Sequence, residues 1–132
     1  MKKSAVVLPD TNVILRYLLN DVPDQYQESA VFFEKVRIGS AQIELLECVI
    51  VEAVYILTKF YKVPRGDAAA SLQGILHYKG AANADKEQLL VSLTLYAASS
   101  LDIVDCVLAV KARERELFTF DKKLKKLAVK AS

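Results

Sequence analysis

The stretch VVLPDTNVILRYLL (6–19) decides the fold class. Its first residues extend a short aliphatic run, Ala5–Leu8, of the kind that forms a buried strand. Asp10, Thr11 and Asn12 are residues that open helices, and Val13, Ile14, Tyr17 and Leu18 then recur at helical spacing. Pro9 has no N–H to give to a sheet, so the strand ends there or leaves that side unpaired. A strand running straight into a helix through an acid is the unit from which a sheet covered by helices is built.

The same alternation continues outward. Asn20-Asp21-Val22-Pro23 reads as a turn, and residues 24–37 as a helix with Ala30, Phe33 and Val36 or Phe32 facing inward. Gly39-Ser40 breaks it before a second strand, Ile43–Leu46. Residues 49–61 form an apolar helix, another helix runs from about Asp67 to Tyr78, and Gly80 stops it before a short edge strand at Ala81–Ala84. Asp85 caps a helix to Ser99 with Leu89, Leu90, Leu93 and Tyr96 on one stripe, and Ser100 or Asp102 caps the next, to Glu114. Leu117–Phe120 is expected as a last strand, and Asp121 as the cap of a short basic helix. The pattern predicts an α/β chain: a three-layer α/β/α sandwich around a central, mainly parallel sheet, as one domain over 1–132.

Composition narrows the classes. The chain is 53% hydrophobic, enough for a substantial core, yet it has no run near the ~18 apolar residues of a membrane span. Its basic-then-apolar start, MKKSAVVLPD, resembles a signal peptide but meets Pro9 and Asp10 too soon, so a cytoplasmic protein is expected. Cys48 and Cys106 lie in apolar stretches and read as small core residues rather than a disulfide. One histidine, His77, and two scattered cysteines supply no zinc set, and His77 reads as a helix-surface residue. Residues 111–132 hold eight Lys/Arg against three acids, whereas residues 1–110 hold ten against thirteen. A basic end on an acidic body hints at a polyanionic partner, although on charge alone a solvated amphipathic last helix is the better explanation.

Four acids interrupt apolar sequence: Asp10, Glu52 in CVIVEAVYIL (48–57), Asp105 in SLDIVDCVLAVKA (100–112), and Asp121 after LFTF. Unpaired carboxylates among aliphatic side chains are costly, so a shared purpose is indicated. Each also has a local explanation. Asp10, Asp102 and Asp121 suit helix caps, Asp105 complements a helix dipole, and Glu52 has Arg16 or Lys59 as possible ion-pair partners. In parallel sheets the strand C-termini form the site-bearing rim, and Asp10 and Asp121 belong there. Oxygen-only donors select Mg2+ or Mn2+, which lowers the pKa of a bound water and neutralises charge on a phosphodiester. Asn12 and Thr119 adjoin two of the acids as accessory residues, with Asp102 beside a third; Arg16, Lys122 and Lys123 are candidate phosphate contacts. An Asp-x-Asp phosphotransferase motif is missing, since the sequence reads Asp10-Thr11-Asn12, and the isolated glycines form no phosphate loop.

With these residues assembled, the chain resembles the PIN-domain family, and within it the VapC-type toxin ribonucleases. The matching pieces are DTNVILRYLLND (10–21), VEAVYILTKFY (51–61), LDIVDCVLAVKAR (101–113) and TFDKKLKKL (119–127). The resemblance implies a metal-dependent endoribonuclease with Asp10, Glu52, Asp105 and Asp121 as its catalytic, metal-holding acids. It implies homodimers and a small VapB-like antitoxin that covers the acidic pocket. Pro9 before the first acid departs from the family, as does Arg113-Glu114-Arg115-Glu116 where a glycine is often found. A PIN fold serving as a catalytically idle RNA-binding or protein-interaction module is the competing expectation, and a phosphatase of small phosphoesters a third.

Overall fold

A computed structural model describes the backbone of residues 5–131 and the side chains through Ala128. The basic start, Met1–Ser4, lies outside the described residues. Strand β1 (Val6–Val7) leads through Pro9 and Asp10 into α1 (Thr11–Leu19), but Val6, Val7 and Leu8 are 44%, 42% and 58% exposed, so the strand expected to be buried lies open, its only partner among the described residues being one neighbouring strand. The Asp10 carboxylate accepts a hydrogen bond from the Val13 amide at 2.9 Å, and Asn20 ends the helix in the left-handed region at φ 52°. Helix α2 (Pro23–Ile38) begins with proline in its first turn, where the absent N–H costs nothing, and ends at Gly39 with φ 89°.

Strand β2 (Gln42–Ile43) pairs in parallel with β1, Val6 opposite Gln42 and Val7 opposite Ile43. Ala81 adds a parallel bridge to Ile43, so the edge strand expected at 81–84 is reduced to one contact. The strands are short for an identifiable reason. The Leu45 amide and carbonyl, which a longer β2 would offer to a neighbour, bond instead to the buried Asn83 side chain at 2.9 and 2.7 Å. Gly80 threads between α2 and β2, donating to the Val36 carbonyl and accepting from the Ile43 amide, both at 2.8 Å. A Cβ there would collide with the Ala41 carbonyl, so only glycine fits.

Helix α3 (Glu47–Tyr55) continues into a π-helical turn, Ile56–Phe60, and is followed by α4 (Arg65–Leu76), α5 (Lys86–Ala98), α6 (Ile103–Lys111) and α7 (Lys122–Ala131). One core unites α1 to α6, with Ile14, Phe33, Val36, Ile43, Leu45, Ile50, Leu72, Leu93 and Ile103 essentially out of solvent. Phe33 and Val36 of α2 face in as expected, and so do Leu89, Leu93 and Tyr96 of α5. No helix among the described residues is long and apolar enough to cross a membrane.

The expected strand Leu117–Phe120 is not formed. The segment pairs with no other strand among the described residues, and Phe118 and Phe120 are 86% and 89% exposed. Its end is shaped locally instead: the Asp121 amide donates to Thr119 Oγ1 at 3.1 Å, a turn that competes with extended pairing. The observed sheet is parallel but two-stranded, within a mostly helical molecule.

Candidate acidic site

Helices α3 and α6 run antiparallel, and two contacts fix their register. At one end Glu47 pairs with Lys111 at 2.7 Å, and at the other the Tyr55 hydroxyl lies 2.7 and 2.8 Å from the two oxygens of Asp102. Asp102 stands at the N-cap position of α6 but makes no capping hydrogen bond; its carboxylate is taken by Tyr55. That bond pushes the Tyr55 hydroxyl up to about 12, assisted by burial and by the charges of Asp102 and Asp105.

Asp105, in the first turn of α6, is half-buried. Burial raises its carboxyl above the usual aspartate range, and the charges of Asp102 and Asp121 push it further the same way. Asp105 thus lies within electrostatic reach of Asp102 and Asp121, at one corner of the molecule but not in one tight cluster. Asp121 also caps α7, its Oδ1 accepting from the Lys123 and Leu124 amides at 2.9 and 3.1 Å. Neither Asp105 nor Asp121 forms an ion pair with Lys or Arg among the described residues.

The other sequence-derived candidates stand further out. Asp10 is exposed and, besides capping α1, borders a cleft of about 460 Å³ between β1 and α2, which Asn12 and Arg16 also line. Glu52 is exposed, although Ile50, Ala53 and Val54 around it are buried. The sequence places the acids among buried aliphatic groups, but Asp10, Glu52 and Asp121 are exposed: Glu52 faces outward from α3, while Asp10 and Asp121 cap α1 and α7 from outside the helices. Glu52 bonds to neither Arg16 nor Lys59. Arg16 binds Asp21 at 3.0 Å and Tyr61 at 3.2 Å, and the Lys59 ammonium lies 5.5 Å from the Tyr55 ring centre. Arg16 is thus already engaged, while Lys122 and Lys123 are exposed and Thr119 half-buried. His77 is exposed at the end of α4, as expected. Cys106 is buried, but Cys48, expected in the core, is exposed on α3.

Two positioning groups escaped the sequence reading. Tyr55 lies three residues beyond Glu52 on the same helical face, a spacing that could have flagged it. Arg65 has no sequence signal at all. Its guanidinium stacks 3.7 Å from the Tyr96 ring centre and donates to the Tyr96 and Leu101 carbonyls at 2.8 and 2.6 Å. It thereby clamps the end of α5 to the loop that presents Asp102 and Asp105.

Unneutralised carboxylates that repel one another are a donor set for a hard cation. Among the described residues no three acidic, histidine or cysteine side chains lie close enough to grip one ion directly. A cation held at this corner would therefore have to keep much of its water, as Mg2+ can.

Comparison with known proteins follows this geometry. The family pattern of the PIN domain matches residues 7–130. A VapC ribonuclease of Aquifex aeolicus (strain VF5) is 29% identical over 126 residues, covering 93% of each chain. No solved structure matches the chain.

Proposed function

Because this chain belongs to the PIN domain family, we propose that it is a VapC-like endoribonuclease dependent on Mg2+ or Mn2+. Asp10, Glu52, Asp105 and Asp121 would hold the metal and carry catalysis, with Asn12, Asp102 and Thr119 as accessories. One observation carries the reading: the charges of Asp102 and Asp121 bear on the half-buried Asp105, and among the described residues neither Asp105 nor Asp121 pairs with a basic side chain. A divalent cation bound there supplies a water of lowered pKa and neutralises charge developing on the phosphate. The chain's own part is to hold those oxygens apart and oriented: Tyr55 fixes Asp102, Arg65 fixes the loop before α6, and the α7 amides fix Asp121. Lys122 and Lys123 would meet the RNA backbone, and Arg16 would add to them only by giving up Asp21.

The full reading is a single nuclease domain over 1–132, a three-layer α/β/α sandwich, acting in the cytoplasm as a homodimeric toxin restrained by a VapB-like antitoxin. The similarity to a VapC ribonuclease supports it. Purified protein should cleave RNA with added Mn2+, fall silent in chelator, and lose activity in Asp105→Asn. Persistence of cleavage in chelator would remove the metal mechanism. The wide spacing of the acids favours a second reading, an idle PIN fold that binds RNA or protein without cutting; RNA left intact at saturating Mn2+ would select it. Turnover of a chromogenic phosphate monoester, with RNA untouched, would point to a phosphatase.

A further inference from the structure

Beyond the acids, the π-helical turn that continues α3 holds features the cleavage chemistry does not use. Phe60 is 75% exposed, while Leu57 of the same turn is buried. The widened geometry is fixed by the Tyr61 amide, which donates to the Ile56 carbonyl five residues back at 3.1 Å. Such turns occur mostly as single insertions in helices and frequently at functional sites. Lys62 then adopts φ 59°, a left-handed conformation that lysine rarely takes, and the Val63 amide closes the bend on the Leu57 carbonyl at 2.9 Å. The Phe60 ring rests edge-on against Tyr61, with centroids 4.9 Å apart, and Tyr61 is itself pinned by Arg16. An exposed aromatic ring is thus held in a set orientation.

The turn is basic in its own sequence, although Asp21 lies 3.5 Å from the Tyr61 hydroxyl. Residues 56–66 contain Lys59, Lys62 and Arg65 and no acid. Lys59 and Lys62 are exposed, whereas Arg65 is engaged in its clamp. The turn is also continuous with the acidic corner. Lys59 lies over Tyr55, the Tyr55 hydroxyl meets Asp102, and Asp102 adds its charge to Asp105. A lone exposed phenylalanine needs no explanation. An oriented one, flanked by exposed lysines on the helix that also carries Glu52 and Tyr55, matches what single-stranded nucleic acid requires: a π-face for a base and cations for the adjoining phosphates.

We propose that this turn is a single-stranded RNA subsite, with Phe60 as the stacking platform for one base and Lys59 and Lys62 as phosphate contacts. The proposal rests on the ribonuclease reading and adds to it the place where the strand is held beside the cut. The test uses full-length protein and a short single-stranded RNA carrying one 2-aminopurine, whose fluorescence is quenched on stacking. Binding is measured in the Asp105→Asn background and cleavage in the parent. Phe60→Ala should weaken binding about tenfold and abolish the quench, raise KM by a similar factor and leave kcat within about twofold, while Phe60→Trp restores binding. Replacing Lys59 and Lys62 by alanine should flatten the salt dependence of binding by about 1.4 log units per decade. Unchanged binding and KM in Phe60→Ala, with cleavage still abolished by Asp105→Asn, would overturn this proposal alone. A loss of binding that tracks a change in oligomeric state by sedimentation would overturn it in favour of a protein interface. A parent protein that neither binds nor cuts RNA would sink both readings.

Discussion

Asp21 and Asp105 occupy corners built from the same kinds of residue and treated in opposite ways. Asp21 sits beside the Arg16 guanidinium at 3.0 Å, with the Tyr61 hydroxyl at 3.5 Å. Asp105 sits beside two more carboxylates, Asp102 and Asp121, with a tyrosine, Tyr55, bonded to the first. Tyr55 and Tyr61 come from one continuous helix and the residue that ends it. At the Asp21 corner the fold provides its own cation; at the Asp105 corner it gathers negative charge that no ion pair balances among the described residues. Gathering like charges costs stability, which accords with the binding role proposed for the second corner.

The largest expected effect tests that contrast directly. Asp105→Asn should lower RNA cleavage by roughly 10²- to 10³-fold, measured as the initial rate with Mn2+. The same variant should be more stable than the parent near neutral pH, because a carboxyl raised in the folded state favours folding only while protonated. That contribution is complete below the ordinary aspartate range and is lost as pH rises through the raised value. The stability gap should therefore close in acid, and urea titrations at both pH values measure it. A variant that is less stable than the parent at neutral pH would mean that Asp105 is a structural acid after all.

Tyr55→Phe comes next. It removes the donor to Asp102 without emptying the space, and the Mn2+ concentration for half-maximal cleavage should rise about tenfold. An unchanged metal requirement would detach Asp102 from the site. At the opposite corner, Arg16→Met should cost about 1–2 kcal/mol by leaving Asp21 and Tyr61 without their donor, read as a shift in urea midpoint. At saturating Mn2+ and saturating RNA the turnover number should hold near the parent level, because Arg16 is engaged by Asp21 and Tyr61, while KM rises as Tyr61 loosens beneath Phe60. The smallest effect belongs to the exposed Glu34–Arg37 pair, bridged at 2.8 Å through Arg37 Nε. Arg37→Ala should leave both the midpoint and the rate unchanged, since solvent screens an exposed pair.

The opening stretch was legible because its physics is local. A strand that meets Pro9, a capping Asp10 and a 3.6-residue apolar period leave few alternatives, and α1 begins at Thr11 as read. The inward stripe of α5 was legible for the same reason. The expected strand at 117–120 failed because pairing is not local: aromatic and β-branched residues state a preference, but a partner edge must be in reach, and Thr119 turned the backbone on itself first. At the site, the acids were visible as interruptions of apolar sequence. Their exposure was not, because an acid beside buried neighbours in sequence can still point away from them in a helix, as Glu52 does. Tyr55 and Arg65 act on groups tens of residues distant, Asp102 and Leu101, and no spacing rule connects them.

The unequal accessibility of the two thiols has a practical use. Cys48 faces solvent one turn ahead of Glu52, while Cys106 is enclosed and its thiol is pushed up by burial, which slows attack on alkylating reagents. A maleimide fluorophore should therefore label the native protein at one position, on the helix that carries Glu52. Such a dye would report events at that face in real time, with no cysteine having to be introduced or removed.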